Sequence, residues 1–326
     1  MKTIRWGIIG CGDVCELKSG PAFQRVEGSS LVAVMRRDAA KAEDFAQRHG
    51  VPRWYWEAEA LVHDPEVDAI YIATPPGSHR EYALMAARAG KPVYVEKPMA
   101  RSHAECEEMI TVCRDAGVPL FVAYYRRSLP RFERVRELVQ SGGIGEPQSV
   151  HVAFRRPPSP KEQSADKPWR VLPEQSGGGH LWDMGSHALD YLDHVLGPIR
   201  HVQGLAKNFG GLYGPEDTIC GIFAFASGCL GTGAWSFSSG VSEDRLEFIG
   251  SEGNVSLSVF GTEPPVVLKG GKETKLPAET PAHIQQPLIE RIVRALEGGE
   301  TCPSTGESAA RTNSVLEQLV ATYQER

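Results

Sequence analysis

No C-x-x-C pair, no run of basic residues and no apolar stretch of membrane-spanning length occurs in this 326-residue chain. Each absence removes a class of function. The seven cysteines (Cys11, Cys15, Cys106, Cys113, Cys220, Cys229 and Cys302) are odd in number, which indicates neither a disulfide framework nor a zinc module and fits a reducing compartment. With 35 basic against 41 acidic residues the net charge is -6. Without a basic cluster, neither nucleic acid nor a membrane surface is the expected partner, and a small molecule is. Residues 3–9 enter a strand at once, without the charged and then apolar segment of an export signal, so a cytoplasmic location is expected. What the chain has in quantity is apolar sequence, 41%, enough at this length for two cores.

Those cores read as different architectures. Up to Ala123, apolar strands alternate with amphipathic helices: strand 4–9; strand 31–35 and helix 39–48; strand 69–73 and helix 78–89; strand 93–95 and helix 102–116; strand 120–123. That order predicts an α/β Rossmann domain over residues 1–123, with a parallel, doubly wound sheet. Ser78-His79-Arg80-Glu81 and Ser102-His103-Ala104-Glu105 have the spacing of capping boxes, and Gly90 and Gly117 are stop signals. From 124 to 326 the pattern changes. A helix starts near Pro130 and ends before Gly142-Gly143; strands follow at 149–154, 218–225, 229–237, 245–249, 255–260 and 266–268, joined by Gly-rich or polar turns. Neighbours are expected to pair antiparallel, giving an α+β domain on an open, mostly antiparallel sheet. Ile222-Phe223-Ala224-Phe225 puts apolar groups on both faces of that sheet. Its outer face therefore calls for a second copy, in a homodimer or a dimer of dimers.

Four stretches carry chemistry in the first domain. Gly10-Cys11-Gly12-Asp13-Val14-Cys15 follows the first strand and precedes helical sequence, in the G-x-G-x-x-G arrangement with Cys15 as a small third residue. Gly10 permits the tight turn, Gly12 lets backbone approach a pyrophosphate, and the helix N-terminus at Asp13 and Val14 receives the negative charge. A chance glycine turn is the plain alternative, and the strand-before-helix context argues against it. Further on, Met35-Arg36-Arg37-Asp38 ends the second strand. Two arginines ahead of the acid fit a 2′-phosphate, so NADP is expected over NAD; the competing reading sets Asp38 on the ribose hydroxyl. Thr74-Pro75-Pro76 makes a rigid turn able to shelve the nicotinamide ribose, with His79 beyond it in either a cofactor-facing or a structural role. Finally, Lys91-Pro92-Val93-Tyr94-Val95-Glu96-Lys97-Pro98 reads as a buried strand that ends in a charged pair. Ligands sit beyond the carboxyl ends of such strands, and Pro98 restricts the backbone of Lys97. A surface lysine at a strand end is the alternative.

In the second region, Tyr124-Tyr125-Arg126-Arg127 either lines a polyhydroxylated ligand or anchors the domain junction. The loop 155–175, containing Lys167-Pro168-Trp169-Arg170, has the length and composition of a lid or binding loop. Gly177-Gly178-Gly179 then opens a helix of about 180–196, stopped by Gly197-Pro198. Leu181, Met184, Ala188, Tyr191, Leu192 and Val195 form its apolar side; His180, Asp183, His187, Asp190 and His194 form an adjoining stripe. Asp183 and His187 stand at i and i+4, where a carboxylate can orient an imidazole. Acid/base work by His187 beside Lys97 is one reading, a divalent metal on the His and Asp side chains a second, and a solvated face a third.

Gly7-Ile8-Ile9-Gly10-Cys11-Gly12, Thr74-Pro75-Pro76 with His79, Tyr94-Val95-Glu96-Lys97-Pro98 and Gly177-Gly178-Gly179-His180-Leu181-Trp182-Asp183-Met184-Gly185-Ser186-His187, in that order, resemble the glucose-fructose oxidoreductase / inositol dehydrogenase / MocA family. The resemblance runs from the first strand to about Gly253. It implies a Rossmann domain, a C-terminal α/β domain whose open sheet commonly buries its outer face in a dimer, and hydride transfer between NAD(P) and a hydroxyl or carbonyl carbon of sugars, inositols and related polyols, usually without metal. It matches the family's active-site lysine to Lys97 and its helical Asp and His to Asp183 and His187. Cofactor contacts are then expected from Gly10, Gly12, Asp13, Val14, Arg36, Arg37, Thr74, Pro75, His79, Glu96 and Lys97. Substrate contacts are expected from Tyr125, Arg126, Trp169 and Arg170 with the catalytic three. Trp169-Arg170 looks like a version found in sugar reductases of the family, including those acting on 1,5-anhydrofructose. The chain departs in Pro76, where Asn is frequent, and in Tyr125, where Asn often precedes the arginine. A cofactor-binding sensor of the same fold would be expected to lack Lys97, Asp183 or His187, and all three are present.

Overall fold

In the computed structural model, which describes residues 3–323, the chain forms two compact units. The first takes residues up to Ala100, Ala104–Leu129 and Pro281–Ala310. Its sheet consists of β1 (Ile4–Ile9), β2 (Ser29–Met35), β3 (Arg53–Tyr55), β4 (Ala69–Ile72), β5 (Val93–Val95) and β6 (Leu120–Val122), in the order β3-β2-β1-β4-β5-β6. Every pairing is parallel, which makes this the doubly wound order of a Rossmann fold. β4, β5 and β6 are buried at every residue; both faces are covered by helices, so the strands are apolar throughout rather than alternating. The order reverses between β1 and β4, which brings the Gly10 turn beside Thr74: a Cβ placed on Gly10 would come within 2.6 Å of the Thr74 methyl. Gly10 has φ +90°, so glycine is required there twice over.

Three local features of this unit differ from expectation. β3 and the helix Ala58–Val62 go unseen in the sequence, being too short to show a period. Ser78 does not close a capping box; it ends a 3₁₀ turn, Pro76–Ser78, and its hydroxyl donates to Thr74 Oγ1 at 2.8 Å. Residues 281–310, which the sequence pattern leaves with the second domain, pack with the first unit. Ser304 Oγ donates to Val122 O at 2.6 Å, and the helix Gln286–Leu296 buries Leu288, Ile289, Ile292 and Val293. An amphipathic stripe shows that a helix has a buried face but not which sheet it covers.

The second unit takes Arg101–His103, Pro130–Thr280 and the residues from Arg311. Its sheet contains β7 (Pro147–Arg155), β8 (Ile199–Lys207), β9 (Thr218–Phe225), β10 (Leu230–Ser236), β11 (Glu243–Gly250), β12 (Gly253–Leu257), β13 (Val266–Lys269) and β14 (Lys272–Lys275), in the order β14-β13-β12-β11-β7-β10-β9-β8. Pairing is antiparallel except between β7 and β10, which run parallel. The sheet is thus mostly antiparallel, as expected, and its one parallel pair arises because the long excursion from β7 to β8 brings the chain back in the same direction. The helices Pro130–Gln140 and Ser186–Leu196 cover one face. Tyr191 meets Phe132 and Phe248 edge-on, at 4.8 and 6.1 Å, and donates its hydroxyl proton to Phe132 O at 2.6 Å. On the other face Leu205, Ile222 and Leu230 stand exposed. Among the described residues no helix is long and apolar enough to cross a membrane, and none of the seven cysteines forms a disulfide.

Candidate functional site

In the first unit the carboxyl ends of β1, β2, β4 and β5 carry the expected cofactor residues. The N–H groups of Gly10 and Cys11 both donate to Met35 O, at 2.9 and 3.2 Å, and this ties the glycine turn to the end of β2. Gly12 is open: a Cβ there would meet only Gly10 O, at 3.9 Å. Helical backbone begins at Asp13. Buried Cys15 lies 3.8 Å from Gly10 O, so a thiol fills the third motif position. Burial pushes the Cys11 thiol up to about 11 and that of Cys15 further; both are protonated space-fillers at neutral pH. An open glycine backbone leading into a helix N-terminus fits a dinucleotide pyrophosphate.

At the end of β2, Arg36 is half-buried and donates to Cys11 O at 3.4 Å, and Arg37 is exposed. Asp38 turns away into its own helix. It caps Ala39–His49 by accepting from the Lys41 N–H at 3.2 Å, with the Lys41 ammonium 3.3 Å away. Thr74 and Pro75 are half-buried at the end of β4. For His79, expected in either a cofactor-facing or a structural role, the structure shows backbone contacts. Its ring is fully buried, with Nε2 at 2.7 Å from Thr74 O and Nδ1 at 3.1 and 3.2 Å from Pro98 O and Met99 O. Burial also lowers its pKa. Both ring nitrogens lie against backbone carbonyls, of the Thr74 turn on one side and the Lys97-Pro98 turn on the other, and the neutral ring has one N–H to donate to either.

Glu96 and Lys97 end β5. Glu96 points inward, 8% exposed, and accepts from the Tyr71 hydroxyl at 2.7 Å, from Gln285 Nε2 at 2.6 Å and from the Lys97 N–H at 3.1 Å. All three of these donors are the protein's own. Lys97 is half-buried. Tyr125 and Arg126 sit in a 3₁₀ turn, Tyr125–Ser128, and are buried, with the Arg126 guanidinium 5.0 Å from the Tyr125 ring centre.

The second unit holds the remaining candidates. The predicted α-helix from 180 is in fact a π turn, Leu181–Gly185, followed by the α-helix Ser186–Leu196. A π turn adds a residue to the i→i+4 ladder and is frequent at functional sites. The Asp183 carboxylate accepts from Arg170 Nε at 3.0 Å, and the Arg170 guanidinium stacks 4.4 Å from Trp169. Trp169, Arg170 and Asp183 thus form one continuous set. His187 is 4% exposed in the first turn of the α-helix, with Phe260 edge-on at 5.7 Å.

The polar stripe does not stay on one face. His180 turns inward, its Nε2 at 2.9 Å from Glu162 Oε1; Asp190 is fully buried; His194 Nε2 lies 3.3 Å from Glu133. Among the described residues no three His, Cys, Asp or Glu side chains converge to hold a metal. Sequence reasoning missed Glu162 and Gln285. Glu162 closes a true capping box with Ser159, legible as S-x-x-E after a proline; Gln285 has no local signal.

Residues 4–124 match the family described as "Oxidoreductase family, NAD-binding Rossmann fold", and residues 132–256 match the GFO/IDH/MocA C-terminal domain. The chain is 37% identical to Oxidoreductase P35 of Formosa agariphila, over 98% of this chain and 99% of that one. It is 31% identical to 1,5-anhydro-D-fructose reductase of Ensifer adhaerens, over 93% and 91%. An aldose-aldose oxidoreductase from Caulobacter crescentus, solved with glycerol, shares the fold, with a TM-score of 0.87 at 24% identity over the whole of both chains.

Proposed function

Because the chain belongs to the GFO/IDH/MocA oxidoreductase family, we propose that it transfers hydride between NADP and a hydroxyl or carbonyl carbon of a sugar or related polyol. The observation that carries this reading is Lys97 at the carboxyl end of β5, in the unit that also holds the open Gly12 turn and the Arg36-Arg37 pair. A sugar-like substrate is supported by the likeness to 1,5-anhydro-D-fructose reductase and by the Trp169-Arg170-Asp183 set, whose aromatic face and charged donors and acceptors suit a polyhydroxylated ring. Seven cysteines without a disulfide among the described residues favour a reducing, cytoplasmic setting.

Bound NADP would supply the hydride acceptor or donor. The chain's residues do the rest. Gly12 and the helix N-terminus at Asp13 hold the pyrophosphate, Arg36 and Arg37 the 2′-phosphate, and Thr74 and Pro75 the ribose shelf. Lys97 donates a hydrogen bond to the substrate's reacting oxygen. In oxidation the carbinol carbon gives up a hydride and its hydroxyl a proton, which His187 accepts; reduction returns the proton from His187. Asp183, with Arg170, binds neighbouring hydroxyls and orients His187.

Turnover of NADPH or NADP against a panel of aldoses, ketoses, dicarbonyl sugars and inositols tests the reading. Lys97→Ala and His187→Ala should each lower kcat by roughly a hundredfold or more and leave cofactor affinity within a few fold. Wild-type turnover in Lys97→Ala would overturn it.

A further inference from the structure

We infer that Gln285 is a positioning residue for Lys97, acting through Glu96; this rests on the reading of Lys97 as the group that contacts the reacting oxygen. Gln285 is 189 residues from Glu96 in sequence yet fully buried against it, just ahead of the helix Gln286–Leu296. Its carboxamide is used at both ends. Nε2 donates to Glu96 Oε1 at 2.6 Å, and Oε1 accepts from the Tyr94 hydroxyl at 2.9 Å. The amide cannot be reversed without loss, because that would set its oxygen against the Glu96 carboxylate, which can only accept.

The consequence falls on Lys97. A buried carboxylate needs donors on both oxygens. Tyr71 and Gln285 converge on Oε1, at 2.7 and 2.6 Å, and that leaves Oε2 aimed at the backbone N–H of Lys97, 3.1 Å away. The strand end itself is pinned, since Glu96 N–H donates to Ile72 O at 2.8 Å. If Gln285 is lost, the carboxylate can swing about its last torsion toward Tyr71, and Oε2 leaves the Lys97 amide. The ammonium then loses its fixed root at the carboxyl end of β5, while the glycine turn and the Arg36-Arg37 pair are untouched. The expected signature is a fall in kcat with little change in cofactor affinity, the mark of an interaction used in the transition state.

Two variants separate positioning from mere packing. Gln285→Leu keeps the volume and removes both polar ends; kcat should fall by roughly tenfold or more with KM for NADP within about threefold. Gln285→Glu sets a second carboxyl against Glu96, and two carboxyls in contact need a proton between them. Its kcat relative to wild type should therefore be highest at acid pH and decline as pH rises. A flat ratio across pH, or a lowered thermal midpoint with wild-type kcat, would overturn the inference. Should Gln285→Leu fail to fold, Tyr94→Phe removes the nearer donor to Gln285 Oε1, at 2.9 Å, and leaves only the Tyr71 hydroxyl at 3.5 Å; an unchanged kcat there also overturns it. Lys97→Ala in parallel tells the two failures apart. If Lys97→Ala keeps its turnover, the reading of Lys97 falls and the inference with it; if Lys97→Ala collapses and the Gln285 variants do not, only the inference falls.

Discussion

The proposed preference for NADP rests on Arg36 and Arg37, with Asp38 engaged elsewhere. In an NAD site the acid at the end of the second strand accepts from the 2′-hydroxyl, and it must be turned toward the ligand to do so. Here its carboxylate is occupied by the first turn of its own helix and by Lys41, while Arg36 and Arg37 come ahead of it on the same strand end. Charge-assisted bonds to a phosphate are worth roughly 1.5 to 3 kcal/mol each, so replacing both arginines with alanine should raise KM for NADP by roughly a hundredfold or more and KM for NAD by far less. Asp38→Ala should lower the thermal midpoint through loss of the cap and leave the choice of cofactor alone. Steady-state kinetics with both cofactors check this. Wild-type preference for NAD, or equal loss of both cofactors in the double variant, would sink the assignment.

At the scale of elements, the segment between β7 and the helix Ser186–Leu196 is held by charge as much as by apolar packing. Glu162 is 3% exposed; it takes Arg156 at 2.7 and 3.2 Å and faces His180 at 2.9 Å. Burial pushes His180 down to about 4, helped by the charge of Arg156 and opposed by Glu162 and Asp183. The folded state thus holds His180 neutral, whereas the unfolded chain takes up a proton near its ordinary value, about 6.5. Its contribution is complete above that pH and is lost as pH falls toward about 4. Glu162 acts in the same direction at lower pH: burial pushes it up, but Arg156 and His180 outweigh that and hold it below its usual range, so its share goes when it is protonated. The thermal midpoint should drop by several degrees across that window, for a loss on the order of 3 kcal/mol at most. His180→Gln should flatten the drop, and an equal slope in the variant would refute it. The sequence shows His180 only as one member of a polar stripe. Periodicity reports which side of a helix differs, not that a π turn re-aims it or that Glu162, 18 residues earlier by the numbering, folds back onto it. By contrast β4, β5, the Gly10 turn and Lys97 were legible, because a strand buried on both faces is apolar throughout and its carboxyl end is a fixed place for ligands. β8 escaped notice because only half-buried residues alternate with its exposed ones, as did β14 because all four of its residues are exposed.

At the scale of the whole molecule, the second unit's sheet has one face covered and one that is not. Phe223 and Phe225 are buried, while Ile222 between β8 and β10 is 55% exposed. Leu205 stands directly across from exposed Cys220, and Leu230 across from Ala224, so Leu205, Ile222 and Leu230 make an apolar strip over three adjacent strands. Scattered surface leucines need no explanation, but a strip across paired strands is the kind of surface that is buried in assemblies. Strands on one flat face are self-complementary under a two-fold axis, and each side chain in such an interface counts twice. Burying one large aliphatic side chain fully contributes about 1.5 to 3 kcal/mol. The protein is therefore expected to be a dimer, or a dimer of dimers, at micromolar concentration. Leu205→Glu with Ile222→Lys should weaken association by several orders of magnitude, since four apolar side chains are lost across the interface and two buried charges per copy are set in their place. Because neither position belongs to the proposed site, the dissociated variant should keep cofactor binding if the Rossmann unit folds independently of the assembly. Light scattering coupled to size exclusion reads the mass directly. A monomeric wild-type protein at that concentration would show that this strip is covered in some other way, and an unchanged mass in the double variant would place the interface elsewhere on the molecule.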